Sequence, residues 1–356
     1  MINVRRLATF LVVPIFLVAS FALFANGAKE SASGASTGSQ KSTTPITIRI
    51  STTSVASDWH TKALQVFKDY IDKNSPAGSF DVQIYAGSSL IPASAEFAAV
   101  QRNSIQMVYV SAQDLVQHGM TDLLPLTAGY VVKSPAELTA IWKSPLGEKW
   151  AAQIGQKFQL HVLGELYLGT RELDLRTTKH INTPADLAGL KLRMPPSQAW
   201  VFLGKALGAT PTPVAFSELY LALQTGTVDG QDNPLPTDKA AKFYEVTKQI
   251  VMTNHLVDGL LMVVNDQTWN SMTPEQQKVV QTAADQAIAY NNSNRIKEEQ
   301  GLVEFFRSKG LQVYSPDVAA FRKHVLDAYL NDPISKQWPP NIIQQLDAIP
   351  VPAEGN

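Results

Sequence analysis

Asp186-Leu-Ala-Gly-Leu-Lys-Leu-Arg-Met-Pro-Pro196, followed by Ala215-Phe-Ser-Glu-Leu-Tyr220 and Asp229-Gly-Gln-Asp-Asn-Pro234, carries the alternation that decides the architecture. Over residues 190–194, Leu190, Leu192 and Met194 share one face and Lys191 and Arg193 the other, which is the two-residue period of a half-buried strand. Pro195 and Pro196 end it, since proline cannot donate to a ladder. Beyond it, residues 200–207 read as a helix stopped by Gly208. Residues 218–225 read as a second helix, capped by Ser217 and stopped by Gly226. Open α/β sheets gather ligands beyond the carboxyl ends of their strands, so a guanidinium at the end of this strand is placed to receive a carboxylate.

The same alternation extends outward. Residues 46–50, 80–85, 105–110 and 161–168 show strand patterning, and the last of these arrives at Gly169-Thr170-Arg171. Helical spacing of Leu64, Phe67 and Ile71 marks residues 58–72. Residues 93–102 follow as a further helix, and 131–155 hold helical turns punctuated by Pro135 and Pro145. Strand and helix in turn predict parallel sheets with crossover helices, an α/β fold. No fixed-period repeat is present, so a solenoid is excluded. Thr273-Pro274-Glu-Gln276 combines a cap, a proline at the first helical position and a capping-box glutamine. The helix it starts keeps its apolar spacing through Val279, Val280, Ala283, Ala284, Ala287 and Ile288, and continues to a stop at Gly310. Its length, about 50 Å at ~1.5 Å per residue, suggests a strut across two lobes.

A chain of 356 residues with 45% hydrophobic content predicts roughly two globular domains. Lys plus Arg (30) nearly balances Asp plus Glu (31), so nothing in the charge points to nucleic acid. Basic Arg5-Arg6 followed by an uncharged apolar run reads as an export signal over residues 1–25, either cleaved or retained as a membrane anchor. The chain has no cysteine, which excludes disulfides and thiol chemistry. Residues 26–45, rich in Ser, Thr, Gly and Ala, read as a flexible tether. Its Gly34-Ala-Ser36-Thr-Gly38 matches a hydrolase nucleophile pattern only formally, lacking the strand and helix that pattern needs.

Catalytic constellations are poor. The six histidines (60, 118, 161, 180, 255 and 324) show no metal-ligand spacing, and no phosphate or dinucleotide motif is present, so neither metal nor cofactor is expected. His161, opening an apolar strand, reads as structural, and Asn291-Asn-Ser293 reads as a helix-surface triplet rather than a glycosylation site. Arg193 and Arg171, at comparable expected strand ends, suit a bidentate grip on a carboxylate, although arginines also end strands in solvent. Asn233, before Pro234, has an extended backbone and a free amide, or simply forms a turn. Phe216 is either a ring at the site or a hydrophobic staple. An exported enzyme using Asp229 and Asp232 is the alternative, with solvated turn carboxylates the plainer expectation for both.

Taken together, Leu187-Ala-Gly-Leu-Lys-Leu-Arg-Met-Pro195, Pro213-Val-Ala-Phe-Ser-Glu-Leu-Tyr-Leu-Ala-Leu-Gln-Thr-Gly226, Val228-Asp-Gly-Gln-Asp-Asn-Pro234 and Lys242-Phe-Tyr-Glu-Val-Thr-Lys248 resemble the extracytoplasmic solute-binding proteins of tripartite ATP-independent periplasmic (TRAP) transporters. The resemblance implies a non-catalytic, periplasmic, two-lobed α/β clamp, each lobe a mixed sheet flanked by helices. Lobe I would comprise residues 46–168 and 259–298, and lobe II residues 169–258 and 299–356. It also implies a monomer that closes over a small organic or sugar acid and delivers it to a membrane permease; an importer of another kind or a sensor is the other possible partner. Arg193 matches the arginine that pairs with the ligand carboxylate, Asn233 its amide contact, Arg171 a second cation nearby and Phe216 a cleft ring. In the first lobe, Ser51, Trp59, His60, Glu96, Tyr109 and Ser111 are candidates for tuning selectivity. The acidic residues that the family's sialic-acid binders carry there are replaced by Val110-Ser111 and Leu90-Ile-Pro-Ala-Ser94, which points to a small or partly apolar carboxylate.

Overall fold

The alternating segments form nine strands among the described residues, which in this computed structural model are 44–352. The export signal, the Gly34–Gly38 pattern and most of the tether lie outside them. In chain order the strands are β1 Ile46–Ser51, β2 Phe80–Tyr85, β3 Met107–Ser111, β4 Leu160–Leu175, β5 Lys191–Met194, β6 Thr210–Pro213, β7 Gly230–Pro234, β8 Gln249–Asn265 and β9 Gln312–Tyr314. The helices before β5 are α1 Trp59–Asn74, α2 Ala93–Gln101, α3 Ala112–Gln117, α4 Pro135–Lys143 and α5 Pro145–Phe158. Those after it are α6 Gln198–Ala206, α7 Phe216–Thr225, α8 Leu235–Ala240, α9 Asp266–Asn270, α10 Pro274–Ser308, α11 Val318–Asn331 and α12 Ile342–Asp347.

All nine strands join one mixed sheet in the order β2-β1-β3-β8-β4-β7-β5-β6, with β9 beside β8. Parallel pairing holds in its outer parts, where β1 lies between β2 and β3, and β5 between β6 and β7. At the centre the expectation of parallel strands fails, because β8 runs antiparallel to both β3 and β4, and β4 antiparallel to β7. The physical reason is length. With 16 and 17 residues, β4 and β8 each reach roughly 50 Å at about 3.3 Å per residue, so they serve both parts of the sheet. Residues Leu260–Val264 of β8 border β3, whereas the far end of β4, from Arg171 to Leu175, borders β7.

The expected end of a strand at Leu168 is instead a bulge. Register between β4 and β8 shifts between Tyr167 and Gly169 and again between Arg171 and Leu173. At Gly169 φ is +135°, and an added Cβ would lie 2.3 Å from the Cβ of Pro234, so only glycine fits. Arg171 therefore sits inside β4, not at a strand end. Glycine marks a bulge in a paired strand as readily as a stop, and only the pairing partner distinguishes the two.

The long helix starts as expected. Thr273 caps it, Gln276 completes the capping box, and 35 residues run from Pro274 to Ser308, about 52 Å. Its Val280, Ala283, Ala284 and Ala287 pack on Phe67 and Ile71 of α1. Asn291 is buried there, not on the helix surface as expected, and donates to the Tyr167 carbonyl at 2.9 Å, so this residue of the sequon is structural. His161 stacks on Trp269 with ring centroids 4.0 Å apart, also structural. A second apolar cluster runs from Phe97 and Val108 through Trp150 to Leu203 of α6 and Phe321, Val325 and Tyr329 of α11.

Candidate functional site

Sheet register builds the site. Arg193 of β5 and Gln231 of β7 are Cα partners, and Gln231 is in turn the partner of Asp174 on β4. Side chains at partnered positions leave the sheet on the same face, and Asn233, two residues beyond Gln231, shares that face. Arg193 is 2% exposed. Its Nε donates to the Val214 carbonyl at 2.8 Å, and among the described residues the Arg193 side chain makes no other hydrogen bond and no ion pair. Burial presses its pKa down to about 9, with the attraction of Asp232 and the repulsion of Arg171 as smaller opposing influences. At neutral pH it remains a buried cation whose fork has no anion. The ring of Phe216 lies 6.0 Å from its guanidinium.

Arg171 is occupied differently. Its Nε donates to Asp232 Oδ2 at 2.8 Å and one terminal nitrogen to Asp258 Oδ2 at 3.1 Å. The other terminal nitrogen reaches the Asp232 carbonyl at 2.7 Å and Asn233 Oδ1 at 3.3 Å. The guanidinium stacks 4.3 Å from the Trp200 ring centroid. Burial alone would raise the pKa of Asp232, but Arg171 and His255 outweigh it and hold this carboxyl well below the usual carboxylate range. Asp258 has the opposite outcome, burial raising it to about 6 despite Arg171. The expectation that Asp232 is a solvated turn carboxylate is thus overturned: it lies in β7 with no exposure. Asp229 is also committed, accepting from the Lys191 amide at 2.8 Å.

Ser217 is not the cap of α7. The N-cap is Ala215, without a side-chain hydrogen bond, and Phe216 is the first helical residue. Its ring meets Phe243 edge-on at 5.8 Å beside Leu219 and Leu223, and this apolar burial outweighs a cap worth about 1 kcal/mol.

The remaining candidates fall into two groups. Trp59 and His60 open α1. His60 Nδ1 lies 3.1 Å from Asp58 Oδ1 and 3.1 Å from a terminal nitrogen of Arg295, the Tyr109 hydroxyl donates to the His60 carbonyl, and His60 Nε2 is buried without a partner. Trp59 Nε1 donates to Glu298 at 2.5 Å. In the second group Ser51 donates to Glu96 at 2.6 Å, and Ser111 caps α3 through a capping box with Asp114. Burial raises the Glu96 pKa to about 7; the Ser51 hydrogen bond opposes this and Asp114 adds to it. Among the described residues no hydrogen bond joins either group directly to Arg193. Instead Arg295 of α10 bridges Asp58 at 2.7 Å and Thr237 of α8 at 2.7 Å. Gln231 went unremarked in the sequence, although strand alternation already places it on the face of Asn233. Asp174, Asp238 and Arg295 carry no local signal. No cluster of three or more His, Asp or Glu residues suited to a metal ion occurs among the described residues.

These buried acids set a pH dependence. Burial raises Glu96 and Asp174 to about 7 and Glu165 to about 8, and folding therefore favours their protonated forms. Their stabilising contribution is complete below the unfolded carboxylate range and is lost as pH rises through these values. His60 and His255, held neutral mainly by burial, act the other way, costing stability as pH falls through 6.5. Urea unfolding should show stability already declining as pH rises above the unfolded carboxylate range, with a fall on the order of 2–5 kcal/mol between pH 6.5 and 8.5 that is smaller in Glu96→Gln. A flat or rising profile over that window would contradict the burial argument.

Comparison with known proteins identifies the family. The family model described as bacterial extracellular solute-binding protein, family 7, matches residues 50–332. A sialic acid-binding periplasmic protein of Vibrio cholerae is 37% identical over 218 residues, which are 61% of this chain and 65% of that protein, just under two thirds of the relative's length. A TRAP periplasmic solute-binding protein from Roseobacter denitrificans, solved with bound 3-deoxy-D-manno-oct-2-ulosonic acid, is 40% identical with a TM-score of 0.82, covering 86% of this chain and 100% of that one. Another from the same organism, solved with L-galactonate, is 26% identical with a TM-score of 0.77, covering 85% and 98%. With the family model spanning most of the chain, the chain belongs to the bacterial extracellular solute-binding proteins of family 7.

Proposed function

We propose that this protein is the periplasmic solute-binding component of a TRAP transporter, a monomer that captures a polyhydroxylated sugar acid by its carboxylate and passes it to a membrane permease. The observation that carries the reading is Arg193: a buried guanidinium with two terminal nitrogens unused costs free energy until an anion meets it, and its planar fork fits a carboxylate. Asn233 supplies an amide hydrogen beside it, Phe216 a ring, and Arg171 acts by holding Asp232, Asp258 and Asn233 in place. Lobe I is residues 46–168 and 259–298, lobe II residues 169–258 and 299–356, and β4 and β8 cross between them near the Gly169 bulge. Lobe closure removes water around the ion pair and strengthens it.

A sugar acid takes precedence over the small or partly apolar carboxylate expected from the sequence for two reasons. Ser51, Glu96 and the unpartnered His60 Nε2 offer hydroxyl-binding groups, and the Roseobacter relative holds an octulosonic acid. Thermal unfolding should show stabilisation of about 2.7 kcal/mol with 3-deoxy-D-manno-oct-2-ulosonic acid at 100 times its Kd, and none with the corresponding neutral sugar. Absence of any shift with that acid, a sialic acid, L-galactonate or succinate at millimolar concentration would overturn the proposal.

A further inference from the structure

The structure assigns Gln231, with the acids Asp174 and Asp238 behind it, as the positioning device that sets which way the Asn233 amide faces and so makes the receptor selective for a carboxylate over a carboxamide. This rests on the function proposed above. Asp174, Gln231 and Arg193 are successive Cα partners across β4, β7 and β5, and Asp238 reaches the same row from α8. Asp174, Gln231 and Asp238 have no exposure, and Asn233 has 4%. No water is needed to explain the orientation of the two amides, because each end of the chain is charged or acidic.

Gln231 Nε2 donates to Asp238 Oδ1 at 2.8 Å and lies 3.4 Å from Asp174 Oδ2. Turning this amide around would set its oxygen against two carboxyl oxygens, so its nitrogen stays on the acid side. Gln231 Oε1 is then left facing Asn233, whose Nδ2 donates to it. At the far end, Asn233 Oδ1 accepts from Arg171 at 3.3 Å. The acids and the arginine thus enforce one polarity from opposite ends, and Asn233 keeps one N–H uncommitted. Beside Arg193, a spare donor complements a carboxylate. The reversed amide would present an oxygen, repelling a carboxylate and accepting from a carboxamide.

Burial raises Asp174 to about 7 and Asp238 well above the usual carboxylate range. Asp174 Oδ1 and Asp238 Oδ2 have no hydrogen-bond partner, so a proton on either leaves the oxygens facing Gln231 as acceptors. The relay is therefore firmest where Asp174 is ionised, because a proton on an oxygen facing Gln231 would let the reversed amide accept from it.

The test compares 3-deoxy-D-manno-oct-2-ulosonic acid with its carboxamide by calorimetry in wild type, Arg193→Met and the double variant Asp174→Asn/Asp238→Asn. Asparagines can donate to Gln231 as well as accept from it, which frees both amides to turn. The double variant should lose on the order of tenfold in affinity for the acid and bind the carboxamide relatively better, shrinking the acid-to-amide ratio by at least tenfold. A merely structural role would weaken both probes alike. If Arg193→Met loses the acid and the double variant keeps the wild-type ratio, the relay is wrong and the function stands. If Arg193→Met binds the acid as wild type does, or wild type binds none of the four acids named above nor their carboxamides, the functional reading falls and the relay with it. Should the double variant fail to fold, the Asn233 side-chain amide resonances of wild type decide: one Nδ2 proton should shift on adding the acid and the other, held by Gln231, should stay, whereas no shift in either overturns the relay.

Discussion

Arg193→Met is expected to weaken acid binding severely and, at the same time, to make the empty protein harder to unfold. Removing one partner of a buried charge pair costs about 2–5 kcal/mol, or roughly 30-fold to a few thousand-fold in Kd. The stability effect has the opposite sign because the empty protein holds this guanidinium out of water with one hydrogen bond to Val214 and no counter-ion. An apolar side chain of similar volume relieves that cost, by about 1–4 kcal/mol if it packs well. Calorimetry with the octulosonic acid and ligand-free urea unfolding measure the two halves separately. Unchanged binding would remove Arg193 from the site, and lower stability would show that its charge is compensated after all.

Arg171→Met should behave in reverse, destabilising the ligand-free protein by about 3–5 kcal/mol, which for a domain of this size lowers Tm by on the order of 10 °C. The change strands Asp232 and Asp258, both fully buried and both paired to Arg171, with only His255 left as a neighbour for Asp232. Without Arg171 the pKa of Asp232 rises, so the loss should be greatest at alkaline pH and shrink toward pH 5 as the acids take up protons. A Tm within 2 °C of wild type at pH 8 would contradict this account. Two arginines two strands apart in one sheet therefore differ in kind: one is neutralised by its own fold, while the other has no ion-pair partner among the described residues.

Periodicity was a reliable guide wherever the forces are local. The short strand β5 follows from the alternation of Leu190, Leu192 and Met194, and the start of α10 from Thr273, Pro274 and Gln276, because caps and alternation act within a few residues. It failed at Gly169, where a bulge in a 16-residue strand looks like a terminus, and at Ser217, where a good cap lost to the burial of Phe216. Arg193 and Asn233 could be nominated from the chain alone and lie on one face of the sheet. Trp59, His60 and Tyr109 gather where α1 meets α10, Glu96 pairs with Ser51 and Ser111 with Asp114, and among the described residues no hydrogen bond joins them directly to Arg193.

The sequence alone therefore determined the α/β character, the long helix and the presence of an arginine where β5 stops, all consequences of residues within a turn or a strand of one another. Tertiary structure alone decided that Arg171 is spoken for while Arg193 is not, and that Gln231 stands between Arg193 and Asp174. Those relations depend on which strands lie side by side and in what register, set by packing among residues tens of positions apart, and no window along the chain contains both partners.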